Sequence, residues 1–222
     1  TQTAKSMLLQ LHKQRHTNTR GERFGVLIFD YKDDYTDDAF VKATNAIVLE
    51  GCDLPINPFA LFTKDKLAPI KTAAGFTTTL ANVFKLGVKQ IQTLKTCISL
   101  AYQTKGIIKG NPDTFKNVPP TLDDVFKVFN EQESIASDSL LSALCDLNDN
   151  EVFEKDGSKC KALYEILNDN IVVVKLSGVD SSLQSLVVAL LLDSFYMQMH
   201  VAGKPKPEGQ YRAIKQLIIK SI

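Results

Sequence analysis

The stretch from Phe24 to Tyr35 constrains the fold more than any other part of the chain. It begins with the unbroken apolar run Gly25–Phe29 and ends abruptly in the polar segment Asp30–Tyr35. A run without a polar face must be covered on both sides, which is typical of a central strand in a parallel sheet. Open α/β sheets bind ligands beyond the carboxyl ends of their strands. The segment Asp30–Tyr35 is therefore predicted to lie at a functional edge of the sheet.

Helix and strand patterns alternate through the rest of the chain. Residues 1–14 are predicted to form a helix, because Ala4, Met7, Leu8 and Leu11 recur at helical spacing. Further buried strands are expected at 46–49 and 171–176, with another apolar strand beginning near residue 213. This alternation predicts an α/β fold with a mostly parallel sheet.

A helical block separates the two strand-containing regions. The pattern is helical from 65 to 102 with a break near Gly87, and Thr121 is placed to cap a helix that follows two prolines. Shorter helices are expected at 137–147 and 162–167. The predicted organisation is a core formed by 1–64 and 168–222, with 65–167 as an α-helical insertion.

Charge and cysteine usage exclude few classes of protein. The 222 residues carry a formal net charge of +1, which predicts neither a nucleic-acid nor a membrane partner and excludes neither. Four widely spaced cysteines form no CxxC pair and are interpreted as buried free thiols of a reducing compartment. The most apolar segment, 183–199, falls short of the ~20 apolar residues that span a bilayer. We therefore expect a cytoplasmic protein without a membrane partner.

The acidic residues after the first strand allow more than one chemistry. Asp30, Asp33 and Asp34 lie within five residues of one another, and close carboxylates can hold Mg²⁺ or position a water molecule. A haloacid-dehalogenase-like phosphatase needs two aspartates two residues apart, but Asp30 and Asp33 are three apart. A response-regulator receiver is only about half this length and lacks a helical block. A solvated turn between strand and helix explains the same acids.

The first helix has a second possible role. No GxxxxGK[ST] phosphate loop occurs in the sequence. Either Ala4-Lys5-Ser6 is a degenerate Gly-Lys-Ser, or Thr1 is itself the last residue of such a loop. The helical pattern around Lys5 favours the second interpretation, and an ordinary surface-packed helix is the plain alternative.

The order of these segments resembles the HerA/FtsK superfamily of DNA-translocating P-loop ATPases, which includes conjugation-type ATPases. Asp30-Tyr31-Lys32-Asp33-Asp34-Tyr35 looks like the Asp-x-Lys-Gly-Asp/Glu-Tyr element of that family. More narrowly, the chain resembles the DptH-like ATPase of phosphorothioation-dependent DNA restriction. The other segments that carry the resemblance are Thr1–Leu11, Asn57-Pro58-Phe59, Gln90–Leu94 with Ala101-Tyr102, Pro120–Val125 and Ile171–Gly178.

The resemblance implies a RecA-like P-loop NTPase core in an ATP-hydrolysing DNA motor that assembles as a hexameric ring. It implies ATP and Mg²⁺ as cofactors, with the Thr1 hydroxyl on Mg²⁺, Gln2 near the α-phosphate and Asp30 beside the nucleotide or the next subunit. DNA, further copies of the chain, and a nuclease or other components of restriction and anti-phage defence are the implied partners.

Several departures from the family pattern bear on activity. Asp33 stands where the family has glycine, so a different turn is expected. The loop's glycines and lysine are absent, and Leu217-Ile218-Ile219 runs into Lys220 with no Asp-Glu pair. This chain alone is therefore not expected to hydrolyse ATP. It is either a fragment of a larger ATPase or a nucleotide-dead relative, and the helix that starts without a cap and the strand that ends the chain favour the fragment. The alternative from another class is a catalytically inactive α/β scaffold that binds partner proteins through its helical block.

Overall fold

The computed structural model describes residues 2–17, 25–131, 138–201 and 216–220, which divide into two compact units. The sheet unit consists of Thr1–Gly51, Leu163–Val179 and Ala202–Ile222, and the helical unit of Cys52–Ala162 and Asp180–Val201. The sequence-based domain bounds, between residues 64 and 65 and between residues 167 and 168, stay a prediction. The helix Ser181–Val201, which follows the third strand, belongs to the compact helical unit.

The sheet unit is built around four parallel strands. Its elements are α1 (Gln2–Lys13), β1 (Gly25–Asp30), α2 (Asp38–Thr44), β2 (Ile47–Glu50), α7 (Leu163–Leu167), β3 (Ile171–Lys175) and β4 (Gln216–Lys220). The strand order is β2-β3-β1-β4, and every described pairing is parallel. In this register Ile28 of β1 lies between Val173 and Ile219. The α/β fold with a parallel sheet is confirmed.

The first strand has the central position that its sequence predicts. All six residues of β1 are buried, because β3 and β4 pair with its two edges and both of its faces are covered. Gly25 opens the strand where a side chain has no room, since a Cβ atom there would lie 2.0 Å from the carbonyl oxygen of Leu167. The close approach of the α7 end to β1 therefore requires glycine at this position.

Two details of the predicted packing in the sheet unit are wrong. Strand β2, expected to be buried, is only half-buried, because it lies at the sheet edge and pairs with β3 alone. In α1, Leu8 packs into the core with Val26, Ile28 and Val173, but Met7 and Leu11 are 58% and 43% exposed. The helix buries a narrower face than its apolar spacing indicates.

The helical unit contains α3 (Ala68–Phe84), α4 (Val88–Thr104), α5 (Leu122–Asn130), α6 (Ser139–Asp149) and α8 (Ser181–Val201). The predicted break near Gly87 is confirmed: Lys85 ends α3 with a φ of 57°, and the Gly87 N–H donates to the Gln90 side chain at the start of α4. Thr121 caps α5 as predicted, in a reciprocal capping box with Asp124.

Cysteine burial is more varied than the sequence interpretation allows. All four cysteines are free, but Cys52 is exposed, Cys145 and Cys160 are half-buried, and only Cys97 is buried. Among the described residues, no helix combines the length and apolar character needed to cross a membrane.

Candidate functional site

The loop after β1 is held together by the side chain of Asp30. This carboxylate is fully buried, and it accepts backbone N–H groups from Lys32 (3.2 Å), Asp34 (3.0 Å) and Tyr35 (2.7 Å). The carbonyl oxygen of Asp30 also accepts the N–H of Leu176 just beyond β3. A carboxylate with three backbone donors is a structural tie for the loop, because both of its oxygens already accept hydrogen bonds.

Asp33 adopts the backbone conformation that glycine adopts most easily. Its φ is 58°, in the left-handed region where aspartate is tolerated better than most residues. A backbone conformation suited to glycine is therefore compatible with Asp33. The expected difference between this turn and the family's turn stays a prediction. The Asp33 carboxylate accepts the hydroxyl of Ser177 at 2.5 Å, which ties the β1 loop to the segment after β3.

A lysine joins three strand ends at the same edge of the sheet. The Lys175 ammonium lies 4.0 Å from Asp33 and 3.8 Å from Glu50, so its charge is shared between the carboxyl ends of β1 and β2. Ion pairs at such distances and exposures contribute little to stability. Sequence analysis missed Lys175 and Ser177, although a lysine that ends an apolar strand next to Ser-Gly was a visible signal.

The aspartates after β1 do not converge as a metal site. Asp30 is occupied by backbone donors and Asp33 contacts Ser177 and Lys175, so their carboxylates serve different partners. Within the described parts of the chain, no group of three acidic, histidine or cysteine side chains is arranged to hold a metal ion. The acids form a turn between strand and helix, as the second interpretation predicts, but that turn is not solvated throughout, because Asp30 is fully buried.

Helix α1 runs antiparallel to β1. Near its start, the Lys5 ammonium donates to Asp37 at 2.5 Å and lies 5.8 Å from the centre of the Tyr35 ring, beyond the carboxyl end of β1. Near its end, the pKa of His12 is lowered mainly by burial, while the carboxylate of Asp169, just before β3, opposes the shift. The start of α1 therefore lies at the carboxyl edge of the sheet, and its end lies at the amino edge.

The orientation of α1 bears on the predicted phosphate-binding residues. Gln2 is the first residue of the helix and is exposed, and no acid lies in the first turn. Helix N-termini with free N–H groups attract phosphate. Lys5 lies inside the helix and pairs with Asp37, which disfavours Ala4-Lys5-Ser6 as a phosphate loop. Thr1, the predicted ligand of Mg²⁺, is outside the described residues.

Comparisons with known proteins establish the fold. No protein-family model and no curated protein sequence matches the chain. The structure is similar to the solved structure of VirB4 of Thermoanaerobacter pseudethanolicus, with a TM-score of 0.61 and 14% identity over 90% of this chain and 75% of that one. VirB4 is a conjugation-type ATPase of the P-loop superfamily that includes HerA and FtsK. At this identity the likeness confirms the RecA-like α/β fold and carries no further assignment.

Proposed function

We propose that this chain is part of an ATP-hydrolysing motor that moves DNA. The observation that carries the proposal is the direction of α1, which starts at the carboxyl edge of a parallel sheet beside its central strand. This is where P-loop proteins place the helix that receives phosphate groups. The fold that the chain shares with VirB4 supports the same proposal.

ATP and Mg²⁺ are the proposed cofactors. The exposed first turn of α1 fits a phosphate group, because it has no acid to neutralise its positive end. In this proposal the Thr1 hydroxyl is a ligand of Mg²⁺, and Gln2 lies near the α-phosphate. The bound metal would neutralise charge on the phosphates during hydrolysis. In the same proposal Asp30 lies beside the nucleotide or bears on the next subunit. Its hydrogen bonds with backbone N–H groups fix the neighbouring loop.

The finer parts of the proposal rest on the sequence resemblance. They are DNA as the substrate of translocation, a hexameric ring of copies, a cytoplasmic location, and a role in restriction and anti-phage defence beside a nuclease or related component. The Asp30–Tyr35 element supports them, because Asp33 stands at the position of the family's glycine and adopts a positive φ, which glycine adopts most easily.

A biochemical experiment separates the motor from a scaffold. The gene is read on both sides of residues 1–222 for a GxxxxGKT loop upstream and an Asp-Glu pair downstream. ATP hydrolysis by the full-length protein is then measured with and without duplex DNA. We expect stimulation by DNA, and we expect Thr1→Ala to lower Mg²⁺-dependent hydrolysis by about tenfold or more. The matched control is Thr17→Ala, beyond the other end of α1, which should leave hydrolysis unchanged.

The translocase and the nucleotide site can each be contradicted by a separate result. Hydrolysis that DNA does not stimulate would remove the translocase. If ATP binding by the full-length protein is the same with and without Mg²⁺ and in Thr1→Ala, the nucleotide site is not at the start of α1.

The second candidate function, an inactive scaffold, is favoured by a groove in the helical unit that combines an apolar cavity with exposed apolar side chains.

A further inference from the structure

The helical unit contains an open cavity that the nucleotide proposal does not use. It has a volume of about 450 Å³ and lies between α3, α8 and the segment 57–63. Its lining is mainly apolar and includes Phe62, Phe76, Leu190 and Met197. This volume falls in the range of functional binding pockets, which are typically apolar with a few polar groups that fix orientation.

A glycine in the middle of α3 opens this cavity. Gly75 lies within Ala68–Phe84 and has no positive φ, so its backbone does not require glycine. A Cβ atom at Gly75 would meet nothing within 4 Å, so no neighbouring group in the structure requires glycine either. Glycine is a poor residue for a helix interior. The missing side chain at Gly75 therefore leaves open space at the cavity that a partner group can enter.

The mouth of the cavity carries large apolar side chains in contact with solvent. Tyr196 and Met197 of α8 line the cavity and are 70% and 41% exposed. Aromatic and methionine side chains around a pocket are characteristic of the centres of protein interfaces. The combination of a groove between two helices and an apolar rim favours a helical partner segment.

Within the described part of the chain, the cavity has one charged group that forms no ion pair. The Asp193 carboxylate accepts the hydroxyl of Thr79 at 2.7 Å, and it takes part in none of the ion pairs among the described residues. The only lysine in the lining, Lys71, is paired with Asp65. The groove is therefore acidic at Asp193, and a basic side chain is the complementary group.

We propose that this α3/α8 groove, the cavity together with its rim, binds an amphipathic helix of a partner protein. One large apolar side chain of the partner fills the cavity beside Gly75, and a lysine or arginine about one turn away pairs with Asp193. The open space at Gly75 lets the partner backbone come close, while Tyr196 and Met197 cover the apolar contact. The inference does not depend on nucleotide hydrolysis.

Selection of helical peptides tests the proposal. A displayed library of helix-forming peptides, each with an apolar stripe and randomised flanking positions, is selected against the full chain. Peptides with lysine or arginine beside the stripe should be enriched. The dissociation constant of an enriched, fluorescently labelled peptide should rise at least about tenfold in Gly75→Leu, which fills the cavity, and about fivefold in Asp193→Asn. The Asp193→Lys variant should bind the enriched peptide more tightly once the basic residue of the peptide is replaced by glutamate.

Two variants elsewhere in the helical unit serve as controls. Val88→Leu alters an exposed apolar residue of α4, and Asp113→Asn removes an exposed acid, so both should leave peptide binding unchanged. Thermal melting of every variant establishes that it folds. Enriched peptides without a basic residue, or binding that Gly75→Leu does not weaken, would overturn the proposal.

Self-association and ATP hydrolysis distinguish the remaining outcomes. If sedimentation shows a dimer that Gly75→Leu dissociates, the groove binds a second copy of the chain, and the partner-protein proposal is wrong. ATP hydrolysis by the full-length protein should be unchanged in Gly75→Leu. Failure of the groove therefore leaves the motor proposal intact, and loss of the motor leaves the groove intact.

Discussion

Removal of the Asp30 carboxylate should destabilise the sheet unit. Asp30 is fully buried, and its two oxygens accept the N–H groups of Lys32, Asp34 and Tyr35. Asp30→Ala deletes both acceptors and leaves the other five residues of β1 unchanged. The perturbation therefore reports on the loop that follows β1.

The expected loss in the free energy of unfolding depends on which of the three N–H donors can reach water after the substitution. Tyr35 is 2% exposed, so its N–H would lose its side-chain partner in a buried environment, at a cost of about 2 kcal/mol. The N–H groups of Lys32 and Asp34 belong to more exposed residues and can be rehydrated, so their loss costs about 0.5 kcal/mol each. Asp30→Ala should lower the free energy of unfolding by about 3 kcal/mol. Asp30→Asn keeps one acceptor oxygen and should lower it by about 1.5 kcal/mol.

Urea unfolding followed by circular dichroism measures the loss, and hydrogen exchange of residues 31–35 locates it. Exchange of these amides should accelerate in Asp30→Ala. The matched control is Asp38→Ala, which removes an exposed carboxylate one segment later and should change stability by less than about 0.5 kcal/mol. Wild-type stability together with wild-type exchange in Asp30→Ala would refute the structural role of this carboxylate.

Three further predictions concern backbone space and thiol chemistry. Because φ is 58° at position 33, Asp33→Val should unfold about 2 kcal/mol more easily than Asp33→Gly in urea; equal stabilities would contradict strain at this turn. Gly25→Ala should cost about 3 kcal/mol, because its Cβ would meet a carbonyl oxygen at 2.0 Å, whereas Gly75→Ala should gain up to about 1 kcal/mol. If Gly25→Ala and Gly75→Ala shift the urea midpoint in the same direction, the surroundings of the two glycines are not as described. Burial and nearby carboxylates raise the pKa of Cys160 to about 11, so the reactive thiolate is scarce below that pH. In mass-spectrometric labelling with iodoacetamide, Cys160 should react more slowly than exposed Cys52 at pH 8 and accelerate towards pH 11; equal rates at pH 8 would exclude this protection.

Features encoded by neighbouring residues could be predicted from the sequence. The apolar run of β1 has no polar face, and it is indeed buried between two parallel strands. Thr121 was predicted as a cap, and its side chain accepts the backbone N–H of Asp124 in the first turn of α5. These predictions succeed because the residues that form each interaction lie within one helical turn of one another.

Features that depend on distant residues could not be predicted. The exposure of β2 follows from its place at the sheet edge, and an apolar run does not specify its neighbours. The α3/α8 groove brings Gly75 together with Asp193 although the two are far apart in the chain. The glycine inside a helical pattern was a local signal that something unusual lies there, but its cause is visible only in three dimensions.

In the proposed motor, the acidic loop and the start of α1 have different roles at the carboxyl edge of the sheet. Asp30 and Asp33 hold the loop and connect it to Ser177 and Lys175, so these carboxylates serve the shape of the edge. A rigid edge is useful to a motor only if a reactive group is positioned on it. The start of α1 is the part of this edge with the electrostatic character to receive a phosphate. Substitutions of Asp30 should therefore act mainly through stability, whereas substitutions of Thr1 should act mainly through nucleotide chemistry, and comparison of the two separates scaffold from site.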